Sequence, residues 1–145
     1  MELIQSMQSL LIAHLAFKKN IENNLKRYGF NPGNPRTLLY ISDHEGCRQK
    51  DLAEAFYVES CTLSSVLTNM EESGFIERRR SEKDKRSYAI YMTPKGRQIS
   101  ETVRKQFYDT IETALSGFSQ KEAAQLHDYL DRVADNLKKA NAHKQ

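Results

Sequence analysis

Long apolar runs are missing from this 145-residue sequence, and no stretch approaches the roughly 20 residues needed to cross a bilayer. The opening MELIQSMQSLLIAHLAFKKN lacks the cationic start of a signal peptide, and its apolar residues are interrupted at helical spacing. Cysteine is scarce. Cys47 and Cys61 cannot build a disulfide framework, so a reduced, cytoplasmic setting is expected. There is no internal repeat and no low-complexity segment. The chain therefore reads as a single domain over 1–145, long enough to bury a core without metals or disulfides. Catalytic sets are absent as well: no Ser-His-Asp arrangement, no phosphate-cradling glycine loop and no paired catalytic carboxylates. Neither an enzyme nor a cofactor is expected.

What the sequence does hold is a concentration of positive charge. Six cations, Arg78, Arg79, Arg80, Lys83, Lys85 and Arg86, fall within nine residues. Residues 74–97 carry eight Lys/Arg against three acids, whereas the remainder has 14 basic and 16 acidic residues. A compact positive patch on a mildly acidic body suits a polyanion.

Around this patch the apolar spacing lays out a mainly α chain with one small β-hairpin. From Leu3 to Tyr28 large residues recur every three or four positions, as in a long amphipathic helix. YGFNPGNP ends it; Asn34 is expected to cap a second helix with Pro35 in its first turn, closing at Gly46. QKDLAEAF and SCTLSSVLTNMEESG then read as two helices joined by the short turn Tyr57-Val58-Glu59. FIERRR and RSYAIYMT read as the strands of a hairpin that must lean on neighbouring helices, since an isolated one is marginal in water. Thr93 caps the next helix, which carries Ile99, Val103, Phe107, Ile111 and Leu115. Ser119 to Glu122 forms a capping box for the last helix, with Leu126, Leu130, Val133 and Leu137. KKANAHKQ is expected to fray.

Leu63, Val66, Leu67 and Met70 take the inner face of the segment 60–73. The other face carries Cys61, Thr62, Ser65, Thr68 and Asn69, all short and uncharged. A solvated face ordinarily holds long Lys and Glu side chains. Short donors and acceptors can instead approach base edges in a major groove. A helix-turn-helix places its second helix there. The basic hairpin that follows can then reach phosphates and the neighbouring minor groove, where arginine is favoured.

The stretch QKDLAEAFYVESCTLSSVLTNMEESGFIERRRSEKDKRSYAIYMTPKG resembles the winged helix-turn-helix of the MarR family of bacterial transcriptional regulators. The family's wing signature is matched by Asp84-Lys85-Arg86 and by Met92-Thr93-Pro94-Lys95-Gly96. The resemblance implies a winged helix-turn-helix lobe over about 35–93 and dimerisation helices over about 1–30 and 94–141. It also implies a homodimeric repressor of a palindromic operator, relieved by a small-molecule effector, an oxidant or a metal. The DNA contacts expected are Ser60, Thr62, Ser64, Ser65, Thr68 and Asn69 on the helix, with Arg78, Arg80, Lys83, Asp84, Lys85 and Arg86 on the hairpin. Arg86 is the candidate for groove insertion, and Asp84 the carboxylate that orients an arginine. Two departures stand out: Tyr57 occupies a turn position often filled by glycine, and the recognition helix has no basic residue where many relatives carry an arginine.

Cys61, in the first turn of that helix, is a candidate redox switch, the alternative to a small-molecule effector. His44, Glu45 and Cys47 make a weak metal cluster, and none is expected. Tyr40, His44 and Phe107 are expected to border the effector cleft.

Overall fold

The computed structural model describes residues 1–28 and 35–144. The elements run α1 (Glu2–Lys26), α2 (Pro35–Asp43), α3 (Gln49–Phe56), α4 (Ser60–Glu72), β1 (Ile76–Arg80), β2 (Tyr88–Met92), α5 (Pro94–Ala114) and α6 (Gln120–Ala142). The expected breaker YGFNPGNP and the Asn34 cap lie almost wholly outside the described residues. Two compact units divide the chain, Met1–Thr110 and Ile111–Gln145.

The first unit holds the core. Leu38 and Ile41 of α2, Leu52 of α3, Leu63, Leu67 and Met70 of α4, Ile76, Ile90 and Val103 are all fully buried and form one cluster. Removing each such side chain from water is worth about 1.5–3 kcal/mol. This apolar set explains why two helices as short as α3 and α4 hold their crossing: each supplies one narrow stripe, and the stripes meet. The turn between them places Tyr57 in the left-handed region, at φ 54° and ψ 50°. Gly74, at φ 78°, closes α4 and redirects the chain into β1.

The hairpin is antiparallel, with Ile76 opposite Met92, Arg78 opposite Ile90 and Arg80 opposite Tyr88. It is better supported than two strands alone would be. Gly46 donates its amide to the Ile90 carbonyl and Ile90 donates to the Cys47 carbonyl, both at 2.8 Å, so β2 is paired on both edges. Glu45 adds a third tie, accepting the Met92 amide at 2.8 Å and the Arg97 guanidinium at 3.1 Å. The base of the wing is thereby fixed to the α2–α3 turn and to α5.

Thr93 caps α5 as the sequence suggests, its hydroxyl accepting the Gly96 amide at 3.0 Å and donating to the Gly74 carbonyl at 2.5 Å. α1 is a continuous helix, but only Ile21 and Leu25 of it are buried. Leu3, Ile4, Leu11 and Leu15 remain 62–83% exposed.

In the second unit Ser119 opens α6 through the expected capping box: its hydroxyl accepts the Glu122 amide, and Glu122 accepts the Ser119 amide at 2.7 Å. That amide is the first cause holding the Glu122 carboxyl below its ordinary range. The fraying expected from KKANAHKQ does not begin at Lys138, because α6 continues to Ala142. No residue of α6 is buried, and Tyr129 and Leu137 are more than half exposed.

Candidate nucleic-acid interface

With Leu63, Leu67 and Met70 turned into the core, helical geometry leaves Ser60, Cys61, Thr62, Ser64, Ser65, Thr68 and Asn69 on exposed positions of α4. No Lys or Arg lies among the helix's thirteen residues. Glu59 precedes the helix but makes no side-chain cap. The start of α4 is instead held from α3: Gln49 donates its side-chain amide to the Ser60 carbonyl at 2.7 Å and to the Ser64 hydroxyl at 3.0 Å. Ser64 is thus a strut between the two helices.

The hairpin sorts its cations into two classes. Arg78 is spent within the chain. Its Nε and Nη2 donate to the two Glu71 carboxylate oxygens at 3.2 and 3.1 Å, and its main-chain amide donates to the same carboxylate at 3.1 Å. Hydrogen bonds from Arg78 hold the Glu71 carboxyl below its usual range. Arg79 pairs with Glu77 and lies 4.3 Å over the Tyr91 ring. Arg80 stands 6.0 Å from the Tyr88 ring centre. Lys83, Lys85 and Arg86, by contrast, are exposed and have no acidic partner among the described residues.

The tip that carries them is nevertheless built. Ser81 donates to the Ser87 carbonyl at 3.0 Å and Ser87 to the Asp84 carbonyl at 3.1 Å, and Asp84 Oδ1 accepts the Arg86 amide at 3.0 Å. Asp84 was expected to orient an arginine side chain. It holds the main chain of Arg86 and leaves the guanidinium free, because an Asx-type turn puts the carboxylate nearest the amide two residues on.

Between the N-terminal ends of α3 and α4 and this hairpin lies a groove of about 490 Å³, whose walls include Arg48, Gln49, Lys50, Ser60, Arg78 and Arg86. Arg48 and Lys50 escaped the sequence reading. A signal was present: two cations at the start of α3, where the helix dipole disfavours positive charge. Asp51 offsets this locally, accepting the Arg48 amide at 2.8 Å, and that bond is the main reason its carboxyl titrates low.

A second cleft of about 330 Å³ opens beside α1, lined by His14, Phe17, Lys18, Ile21, Arg36 and Phe107, among others. Phe17 and Phe107 meet edge to face at 6.0 Å. Phe107 lines this cleft, whereas Tyr40 and His44 do not: Tyr40 is stacked on His44 at 4.2 Å and meets Phe56 edge-on. Nor do His44, Glu45 and Cys47 converge on a metal. His44 Nδ1 faces the Tyr40 carbonyl, Glu45 is taken by β2 and α5, and no metal-holding cluster occurs among the described residues. Cys47 is buried, and that burial, reinforced by the charge of Asp51, pushes its thiol up to about 11. Cys61 is exposed. No helix among the described residues is long and apolar enough to cross a membrane.

The MarR family model matches residues 30–88. The HTH-type transcriptional regulator BilQ of Clostridium symbiosum is 30% identical over 112 residues, covering 77% of this chain and 78% of that protein. The chain belongs to the MarR family. Solved MarR-type structures superpose on nearly its whole length: the transcriptional regulator SlyA at 28% identity, TM-score 0.80 and 94% and 95% coverage. A MarR family regulator from Listeria monocytogenes, complexed with 26mer DNA, shares the fold at 22% identity, TM-score 0.85 and 90% and 87% coverage. In this MarR protein Tyr57 holds the turn in the left-handed conformation that suits glycine while carrying an aromatic side chain.

Proposed function

We propose that this protein is a homodimeric, sequence-specific DNA-binding repressor of a palindromic operator, acting in the cytoplasm and relieved by a small-molecule effector. One observation carries the reading: a hairpin tip tied by hydrogen bonds presents Lys83, Lys85 and Arg86 without acidic partners among the described residues, beside a recognition helix whose exposed face is short and uncharged. Such a tip can reach phosphates and a minor groove while α4 reads base edges. Residues about 35–93 form the DNA-binding lobe. The Listeria relative's DNA complex supports duplex DNA as the partner.

The dimer rests on apolar surface that one chain leaves uncovered. α1 exposes Leu3, Ile4, Leu11 and Leu15, and α6 buries no residue at all. A helix with such a stripe is ordinarily covered by a partner. A second copy, reached through about 1–30 and 94–141, matches a palindrome by its two-fold symmetry. The cleft lined by Phe17, Phe107, Lys18 and Arg36 supports a small, partly aromatic effector.

Selection of bound fragments from random and genomic DNA, with and without oxidant, tests this together with sedimentation at micromolar concentration. Palindromic fragments and a dimer support the reading; a monomer, or no enriched sequence, refutes it. The exposure of Cys61 on the base-facing side of α4 favours one second reading, a repressor switched by oxidation. Peroxide-induced release that Cys61→Ser abolishes would select it.

A further inference from the structure

The base of the wing is completed by a side chain. Ile90 of β2 commits both its main-chain groups to the α2–α3 turn, accepting from the Gly46 amide and donating to the Cys47 carbonyl, each at 2.8 Å. Residues two apart on a strand send their amides to the same edge, so Met92 points its N–H towards that turn as well. There the acceptor is the Glu45 carboxylate, at 2.8 Å, in place of a main-chain carbonyl. Glu45 thus adds the last rung of the ladder with its side chain. The same carboxylate is held from α5 by Arg97, whose guanidinium donates to its two oxygens at 3.1 and 3.3 Å. Three segments, the α2–α3 turn, the end of β2 and α5, therefore meet on one side chain that is only 33% exposed. Asp43, two residues earlier, makes a matching pair with Arg104 of α5 at 2.6 Å, but no bond to the wing among the described residues.

Leverage makes this last rung matter. Five residues per strand put the tip of the wing about 17 Å beyond its base. A tilt of about 7° at the base moves the tip about 2 Å, far outside the window of about 0.5 Å in which a hydrogen bond forms. Two short strands do not resist such a tilt by themselves, since an isolated hairpin is marginal. Resting on the DNA-binding reading above, we propose that Glu45 is a positioning residue for DNA binding. Without touching nucleic acid, its carboxylate holds the Met92 amide and so sets where the wing meets the duplex. Charge alone gives the opposite expectation: an acid repels a polyanion, and its removal should tighten binding. The sign of the effect separates the two.

The probe is the tightest duplex recovered from a random pool, titrated with the full chain by fluorescence anisotropy over a range of salt. Glu45→Ala should weaken binding about tenfold and lower the slope of log affinity against log salt by about 1–2 per dimer, as phosphate contacts of the wings are lost. Glu45→Gln keeps an acceptor for the Met92 amide and should recover most of that affinity. Asp43→Asn removes the same charge and a matching pair to α5, and should stay within about twofold of the parent, because an exposed pair contributes little. Hydrogen exchange on the parent gives a reading that needs no variant. The Met92 amide should exchange as slowly as that of Ile90; exchange as fast as the amides of Lys83 and Lys85 overturns the tie. Equal or tighter binding by folded Glu45→Ala, an equal loss in Asp43→Asn, or a Glu45→Gln as weak as Glu45→Ala overturns the assignment while leaving DNA binding intact. Recovery of no duplex at all overturns the DNA-binding reading itself, and this proposal with it.

Discussion

Arg78 of the first wing strand is locked onto Glu71 of the recognition helix, with three donors of one residue converging on one carboxylate. The pair ties the first strand of the wing, β1, to the recognition helix, α4. Arg78 is therefore a brace in the free protein, a different duty from the phosphate contact that its place in a basic run suggests.

Glu71→Gln should weaken this brace at little cost to the fold, because a partly exposed ion pair is worth no more than about 1 kcal/mol. We expect a thermal midpoint within a few degrees of the parent and operator affinity reduced several-fold. Unaltered affinity would show that the wing keeps its angle without the pair.

A methyl group at position 96 has nowhere to go. A Cβ built on Gly96 would stand 1.9 Å from the Phe75 carbonyl oxygen and 3.0 Å from Met92 Cε. The main chains of α5 and of the wing base touch there, so relief requires moving backbone. Gly96→Ala should cost about 3 kcal/mol or more, at the upper end for overpacking. Chemical denaturation measures it, and a loss below about 1 kcal/mol would contradict the packing described.

Tyr57 pays for its turn geometry in backbone strain. A bulky residue in the left-handed region costs about 1–2 kcal/mol, and glycine gives back about half of the relief through its freedom in the unfolded chain. Tyr57→Gly should thus lose less than Tyr57→Val, which puts a β-branched residue into the same left-handed turn. The two denaturant midpoints, compared with the parent, check the order.

Cys47 makes stability fall in alkali. Its thiol stays neutral in the folded chain up to about 11, while in the unfolded chain it ionises near 9. The unfolded state therefore sheds its proton first. The contribution of this thiol is whole below about pH 9 and is lost as pH rises towards 11, at up to about 1.4 kcal/mol per pH unit. Cys47→Ala should flatten the unfolding free energy across that window relative to the parent. Iodoacetamide should label exposed Cys61 in the native protein and reach Cys47 only on unfolding.

The parts of the fold that were legible in the sequence are those set by local chemistry. Thr93 with Gly96, Ser119 with Glu122, and Gly74 after α4 announce their caps and stops within four residues, and the apolar stripe of α4 fixes which side faces out. What was not legible depends on distant partners. Nothing near Arg78 says that Glu71 will neutralise it, since the contact exists only once α4 and β1 have packed. The edge pairing of Cys47 with Ile90 joins segments on opposite sides of the helix-turn-helix. Arg48 and Lys50 reach the groove only because α3 starts beside the wing, whereas the bond from the Arg86 amide to Asp84 is local chemistry that the residue type does suggest.

Affinity for the selected operator measured against salt puts the central claim to its most direct test. Each phosphate neutralised contributes about 0.9 to the slope of log affinity against log salt. If two free-standing wing tips grip one duplex, Arg86→Ala should lower that slope by about 2 per dimer and weaken binding, with the fold intact by circular dichroism. An unchanged slope and affinity in Arg86→Ala would mean that Arg86 does not touch DNA, and the account would be wrong.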